Sequence, residues 1–194
     1  MRCELCVPDQ MKRSQGFGLL EVLVATTILT VALAGLAQLF AIAARTNMSA
    51  RTTTFAAVLA AQKMEELRGL TWGFDTLGQP VSDTTTDVSV VPEKRGGGTG
   101  LRPSPAGAIG RNIEGYCDFL DRNGASLGGG AEPPSRAAYI RRWSIEPLPT
   151  NPNNTLVLQV LVTRSDRGAD NPAAGGVRGP DGARIVSVKT RKAT

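Results

Sequence analysis

The chain has 194 residues, of which 41% are apolar, 20% charged and 5% aromatic, with a net charge of +5. That length suits one soluble domain with an appendage, and so few aromatic residues exclude a large aromatic core. Histidine is absent, which excludes Ser-His-Asp and Cys-His catalysis and the usual imidazole metal site, and solubility accounts for the modest positive charge without a nucleic-acid contact.

Cys3 and Cys6 form a single C-x-x-C. A zinc ribbon needs a second such pair, so these read as incidental thiols near a terminus. Further on, from Phe17 to Ala44, the chain reads FGLLEVLVATTILTVALAGLAQLFAIAA, with Glu21 its one charge. Residues 22–44 are 23 consecutive uncharged, mostly apolar residues, and a membrane-spanning helix needs about 20. Lys12 and Arg13 lie just before this stretch, so the first residues should stay cytoplasmic and the rest should emerge on the far side.

Three readings of this segment compete. In an ordinary secretory signal peptide, Arg2, Lys12 and Arg13 form the positive region and Ala32-Leu33-Ala34 supplies the cleavage site, after Ala34; the mature chain is then an exported binding protein. A plain signal anchor is the second. Both leave Glu21 unexplained, although an acid at mid-helix costs about 2.5–3.5 kcal/mol in a bilayer. The third reading uses the glutamate.

The run Lys12-Arg13-Ser14-Gln15-Gly16-Phe17-Gly18-Leu19-Leu20-Glu21 combines a basic pair, a glycine, a phenylalanine and a glutamate just inside the apolar helix. It resembles the type IV prepilin signal over residues 12 to 44. The resemblance implies that a membrane peptidase, the prepilin peptidase, cuts between Gly16 and Phe17 on the cytoplasmic face. It also implies that the same enzyme methylates the new N-terminus at Phe17, and that Glu21 becomes residue five of the mature chain and serves subunit assembly. Gly18 stands where family members often carry threonine. The physics fits: Gly16 lets a peptidase approach the backbone closely, and Glu21 is a buried anion in need of a cation. Two helices staggered by one subunit can pair the fresh amine of one with Glu21 of the other.

The helix should continue past the membrane. Within residues 45–68, Ala57, Ala60, Ala61, Met64 and Leu67 fall on one helical face, alanine, leucine, lysine and glutamate favour helix, and Gly69 is a stop. From Phe17 to Arg68 the helix would be roughly 78 Å long at 1.5 Å per residue. The stretch Ala60-Ala61-Gln62-Lys63-Met64-Glu65-Glu66-Leu67-Arg68 resembles minor pilins, especially the pilus-modification group and the I-type pseudopilins of type II secretion.

Four β-prone runs follow: Asp87–Val91, Tyr139–Glu146, Thr155–Arg164 and Arg184–Lys189. The second places Tyr139, Arg141, Trp143 and Ile145 on one face. The third is apolar on both faces, which predicts a central strand, and the turn residues from Pro147 to Asn154 predict an antiparallel pair. The expected fold class is α+β: a long N-terminal helix packed by its C-terminal half on a small antiparallel sheet of about four strands, Trp143 against the helix. Residues 92–135 hold 11 glycines and 5 prolines in 44, and residues 166–183 hold 5 and 2 in 18. Both segments are expected to be loop that buries little.

Other chemistry is faint. Asp118, Asp121, Asn123 and Gly124 fail the EF-hand spacing, so Asn123-Gly124 reads as a tight turn in preference to a calcium loop. The glycine triplets 96–98 and 128–130 lack the Lys-Ser/Thr of a phosphate loop. Two sequons, at Asn47 and Asn153, are near chance. Arg136, Arg141 and Arg142 near Tyr139 and Trp143 read as a solvated strand face in preference to a nucleic-acid contact.

The resulting expectation has four parts: a leader at 1–16, a membrane or filament-core helix at 17–44, an amphipathic half-helix at 45–68, and a head at 69–194. The chain is read as a minor pilin of a type IV pilus or its priming tip, or as a minor pseudopilin of type II secretion. It is not an enzyme and uses no cofactor, metal or small-molecule substrate, and nucleic acid is not an expected partner. Its partners are the prepilin peptidase, other pilins met through the N-terminal helix, and the inner membrane, which it crosses once with the head outside the cytoplasm.

Overall fold

The structure, a computed structural model, describes residues 18–165 and 182–191. The expected loop at 166–183 therefore lies mostly outside the described residues. Helix α1 spans Leu19–Gly69, and the chain divides into two units, Met1–Thr46 and Asn47–Thr194.

In the first unit every described helical residue is exposed. Leucine, isoleucine, valine and phenylalanine cover all sides, so no amphipathic face exists; a helix apolar all round is made for a surrounding other than water. Its hydroxyls are folded inward. Thr26 and Thr27 donate to the Leu23 carbonyl at 3.0 and 2.8 Å, and Thr30 donates to that of Thr26 at 2.7 Å. These bonds remove polar atoms from an apolar surface without a partner molecule.

The second unit is an α+β head. Six strands follow the helix: β1 (Trp72–Phe74), β2 (Pro80–Ser82), β3 (Cys117–Leu120), β4 (Tyr139–Pro147), β5 (Thr155–Arg164) and β6 (Ala183–Thr190). Strands β1 and β2 form an antiparallel hairpin; the other four form one antiparallel sheet in the order β3-β4-β5-β6. The strand expected at Thr155–Arg164 is central, as its pattern implies, and its neighbours β4 and β6 fall where they were expected. On β5, Leu156, Leu158, Val160 and Val162 are fully buried, while Val157, Gln159, Leu161 and Thr163 are half-exposed.

The helix packs on this buried face through Ala56, Leu59, Ala60, Met64 and Leu67, against Trp143, Ile145 and the apolar row of β5. The expected helical stripe is thus rotated: Ala57 is half-buried and Ala61 exposed, while Ala56, Leu59 and Lys63 face inward. The rotation brings Lys63 to a buried acid, described below. Trp143 lies against the helix as expected, with the Lys63 ammonium 4.8 Å from its ring centre.

Two expectations fail. Asp87–Val91 is no strand: it contributes an isolated bridge between Asp87 and Lys94, and the Val88 carbonyl turns instead to the Lys63 ammonium. The segment 92–135, expected to bury little, supplies strand β3 and buries Leu101, Ala108, Tyr116 and Phe119. Its glycines make close approach possible. At Gly98 a Cβ would lie 2.1 Å from the Asp87 Cα, and at Gly129 it would lie 2.7 Å from the Cys117 carbonyl oxygen. The glycines let this segment pack as tightly as a side chain would.

Candidate functional site

Lys12, Arg13, Gly16 and Phe17 lie outside the described residues. From Gly18 the geometry is plain: its carbonyl accepts from the amides of Glu21 and Val22 at 2.9 and 3.2 Å, opening the helix. Glu21 therefore sits in the first turn, where the unpaired amides favour an acid. It is exposed and has no ion-pair partner among the described residues. The helix that follows is long and apolar enough to cross a membrane. The arrangement is an acid in the first turn of an oily rod, without an ion pair among the described residues.

The head holds its own charges differently. Register places Asp118 of β3 opposite Arg141 of β4, on the face that meets the helix. The Arg141 guanidinium grips the Asp118 carboxylate at two points, Nε at 2.9 Å and the second terminal nitrogen at 2.6 Å. Its remaining terminal nitrogen donates to the Leu59 carbonyl at 3.1 Å. Lys63 completes the group from the helix, 3.4 Å from Asp118, paired with Glu66 one turn on, and donating to the Val88 carbonyl. Asp118, Lys63 and Arg141 are all fully buried. Two cations and two anions thereby lock the helix, two strands and a loop to one another. Sequence reasoning missed this network. The available signal was an aspartate inside the apolar Cys-Asp-Phe-Leu run, since a charge there demands a buried partner.

This geometry corrects one reading and agrees with another. Arg141 and Arg142 are not a solvated strand face: both are buried, Arg142 donating to Asn112 at 2.8 Å and Thr163 at 3.3 Å, so neither can reach a nucleic acid. Burial pulls the Arg142 guanidinium below its ordinary value. The calcium alternative also lacks its ligands, because Asp118 is held by Arg141, and Asp121 accepts the Asn123 and Ala125 amides at 2.8 and 2.9 Å to form the expected turn. Among the described residues no cluster of three metal-ligating side chains occurs. Cys117 is buried and donates to the Gly130 carbonyl, and burial pushes its thiol up.

A second feature absent from the sequence reading is Arg191. Its guanidinium stacks 3.6 Å from the Trp72 ring centre and donates to the carbonyls of Gly73, Val81 and Asn153 and to the Ser82 hydroxyl. One side chain thus ties the β1-β2 hairpin to the end of β6. Burial lowers its pKa from the ordinary value.

A family model described as the prokaryotic N-terminal methylation motif matches residues 11–37. No curated protein and no solved structure matches the chain. The matched segment contains Lys12, Arg13, Gly16, Phe17 and Glu21 and the exposed helix as far as Ala37. Joined to an apolar helix and an antiparallel α+β head in a pilin-like layout, that motif supports a type IV prepilin-like protein.

Proposed function

We propose that the chain is a minor pilin. The prepilin peptidase removes residues 1–16 by cutting between Gly16 and Phe17 and methylates Phe17. Residues 17–44 then cross the inner membrane once, with residues 45–194 outside the cytoplasm. From there the subunit joins a type IV pilus or its priming tip through the same helix, its Glu21 paired with the N-terminal amine of a neighbour. Its work is structural: it adds a subunit and presents a head. One observation carries this reading. The methylation motif over 11–37 coincides with an apolar helix whose one acid sits in the first turn without a counter-ion among the described residues. An unpaired acid in an apolar rod marks a site whose partner is another molecule. A minor pseudopilin of type II secretion would use the same N-terminus; co-purification with secretion components in place of pilus components moves the assignment there.

The test is the N-terminal residue of the mature protein, read by mass spectrometry of the membrane fraction. N-methyl-Phe17 is expected, and Gly35 would instead establish a signal peptide cut after Ala34. Replacing Gly16 by isoleucine should leave the full-length precursor in the membrane, because a side chain there keeps the peptidase from the backbone. Normal processing of that variant refutes the cleavage assignment.

A further inference from the structure

One end of the four-stranded sheet holds a cleft of about 710 Å³. Its walls are the Asp121–Gly124 turn after β3, the segment leading into β4, and the last residue of β5. Among the described residues the guanidinium groups of Arg122, Arg136 and Arg164 line it, with the carboxylate of Asp121. That carboxylate is engaged by its own turn, as described above. Neither Arg122 nor Arg136 has an ion-pair partner among the described residues, and both are exposed. Arg122 and Arg136 differ in this from Arg141, Arg142 and Arg191, which are all tied to carboxylates, amides, hydroxyls or carbonyls. Like charges gathered in a concavity repel one another and focus a positive field into it, and an incoming anion relieves both.

The cleft favours carboxylates on a peptide. Guanidinium forks match carboxylates in two-point geometry, and the volume suits a few side chains. A single-stranded nucleic acid would need an open aromatic face for its bases. The one aromatic residue lining the cleft is Tyr139, which is 8% exposed with its ring 5.5 Å from that of Phe55. We propose that this cleft binds an acidic peptide segment of a partner protein, with Asp or Glu carboxylates paired to Arg122 and Arg136. The inference rests on the cleft alone and stands or falls apart from the reading of the N-terminus.

The full-length protein in zwitterionic detergent micelles would be titrated into fluorescein-labelled hexaglutamate and followed by anisotropy at low salt, where exposed charges are least screened. Saturable binding is expected, roughly tenfold weaker in the R122Q/R136Q double variant and unchanged in R95Q, which removes an exposed charge elsewhere. The R122K/R136K variant should keep part of the affinity, and equal urea midpoints would show that all variants fold. No binding by the unaltered protein overturns the proposal, as does an equal loss in R95Q. Inorganic pyrophosphate binding where hexaglutamate does not would make this a phosphate site. Tighter binding of decathymidylate, lost in the same double variant, would make it a nucleic-acid groove. Either result refutes the acidic peptide.

Discussion

Up to Thr46 the helix turns leucine, valine and isoleucine outward on every side and carries one acid; beyond Asn47 the same helix buries alanine, leucine and methionine and brings a lysine inside with them. Each half contains an acid in an apolar run, and the two differ in their partners. Asp118 in the head finds Arg141 and Lys63 within its own chain. Glu21 finds no ion pair among the described residues. The difference separates a charge paired within its own fold from one with no ion pair among the described residues, the charge that the proposed function gives to assembly.

Exchanging the two acids for alanine puts that contrast to trial. Asp118→Ala leaves Lys63 and Arg141 buried beside Glu66 alone, and breaking such a buried group costs about 3–5 kcal/mol. A large fall in the urea midpoint of the head is expected, read by tryptophan fluorescence. Glu21→Ala should leave that midpoint unmoved and permit cleavage, yet strip the protein from sheared-filament fractions. An unstable Glu21 variant, or an Asp118 variant of normal stability, would erase the distinction.

A smaller effect is expected at Arg191. Arg191→Ala removes the stack on Trp72 and several bonds to carbonyls, so a loss of about 1–3 kcal/mol is expected. Trp72 emission should shift to the red while that of buried Trp143 stays constant. A wild-type midpoint and spectrum would mean that the hairpin stands without the clamp.

The smallest effect concerns Asp83. Burial pushes its carboxyl up, but the Thr86 hydroxyl and the amides of Thr86 and Thr85, with Arg95 nearby, together bring it below its ordinary value. A carboxyl depressed in the folded state contributes stability that is present above its unfolded pKa, about 3.9, and is lost as pH falls through the lower folded value. The stability gap between the wild type and Asp83→Asn should therefore hold near neutrality and close on acidification below about pH 4. A gap that stays constant down to pH 2 contradicts the assignment.

What the sequence reveals follows the range of the forces involved. The N-terminal segment is legible because its signal is local: length, hydropathy and one misplaced acid are all read within a few turns. Strands β4, β5 and β6 are legible for the same reason, since alternation and β-branched residues are properties of the run itself. Strand β3 has four residues and an aspartate, and nothing in Cys-Asp-Phe-Leu says strand until Arg141 lies opposite. Glycine misled most. A glycine-rich segment reads as loose chain, yet Gly98 and Gly129 are small because backbone presses against them. The Lys63–Asp118–Arg141 group joins residues far apart in the chain, and only the fold brings them together. Asp87–Val91 has the composition of a strand, but the Asp87 carboxylate takes the Ser89 amide at 2.9 Å and turns the chain.

The inward-bent threonine hydroxyls have a mechanical corollary. With Thr26, Thr27 and Thr30 closed on carbonyls one turn earlier in the helix, Glu21 and Gln38 are the polar side chains between Leu19 and Ala44 left to mark position along the axis. Everything else on that stretch is smooth hydrocarbon. In the proposed assembly, two such rods side by side would resemble rulers with a pair of graduations each, and those marks would set where they come to rest.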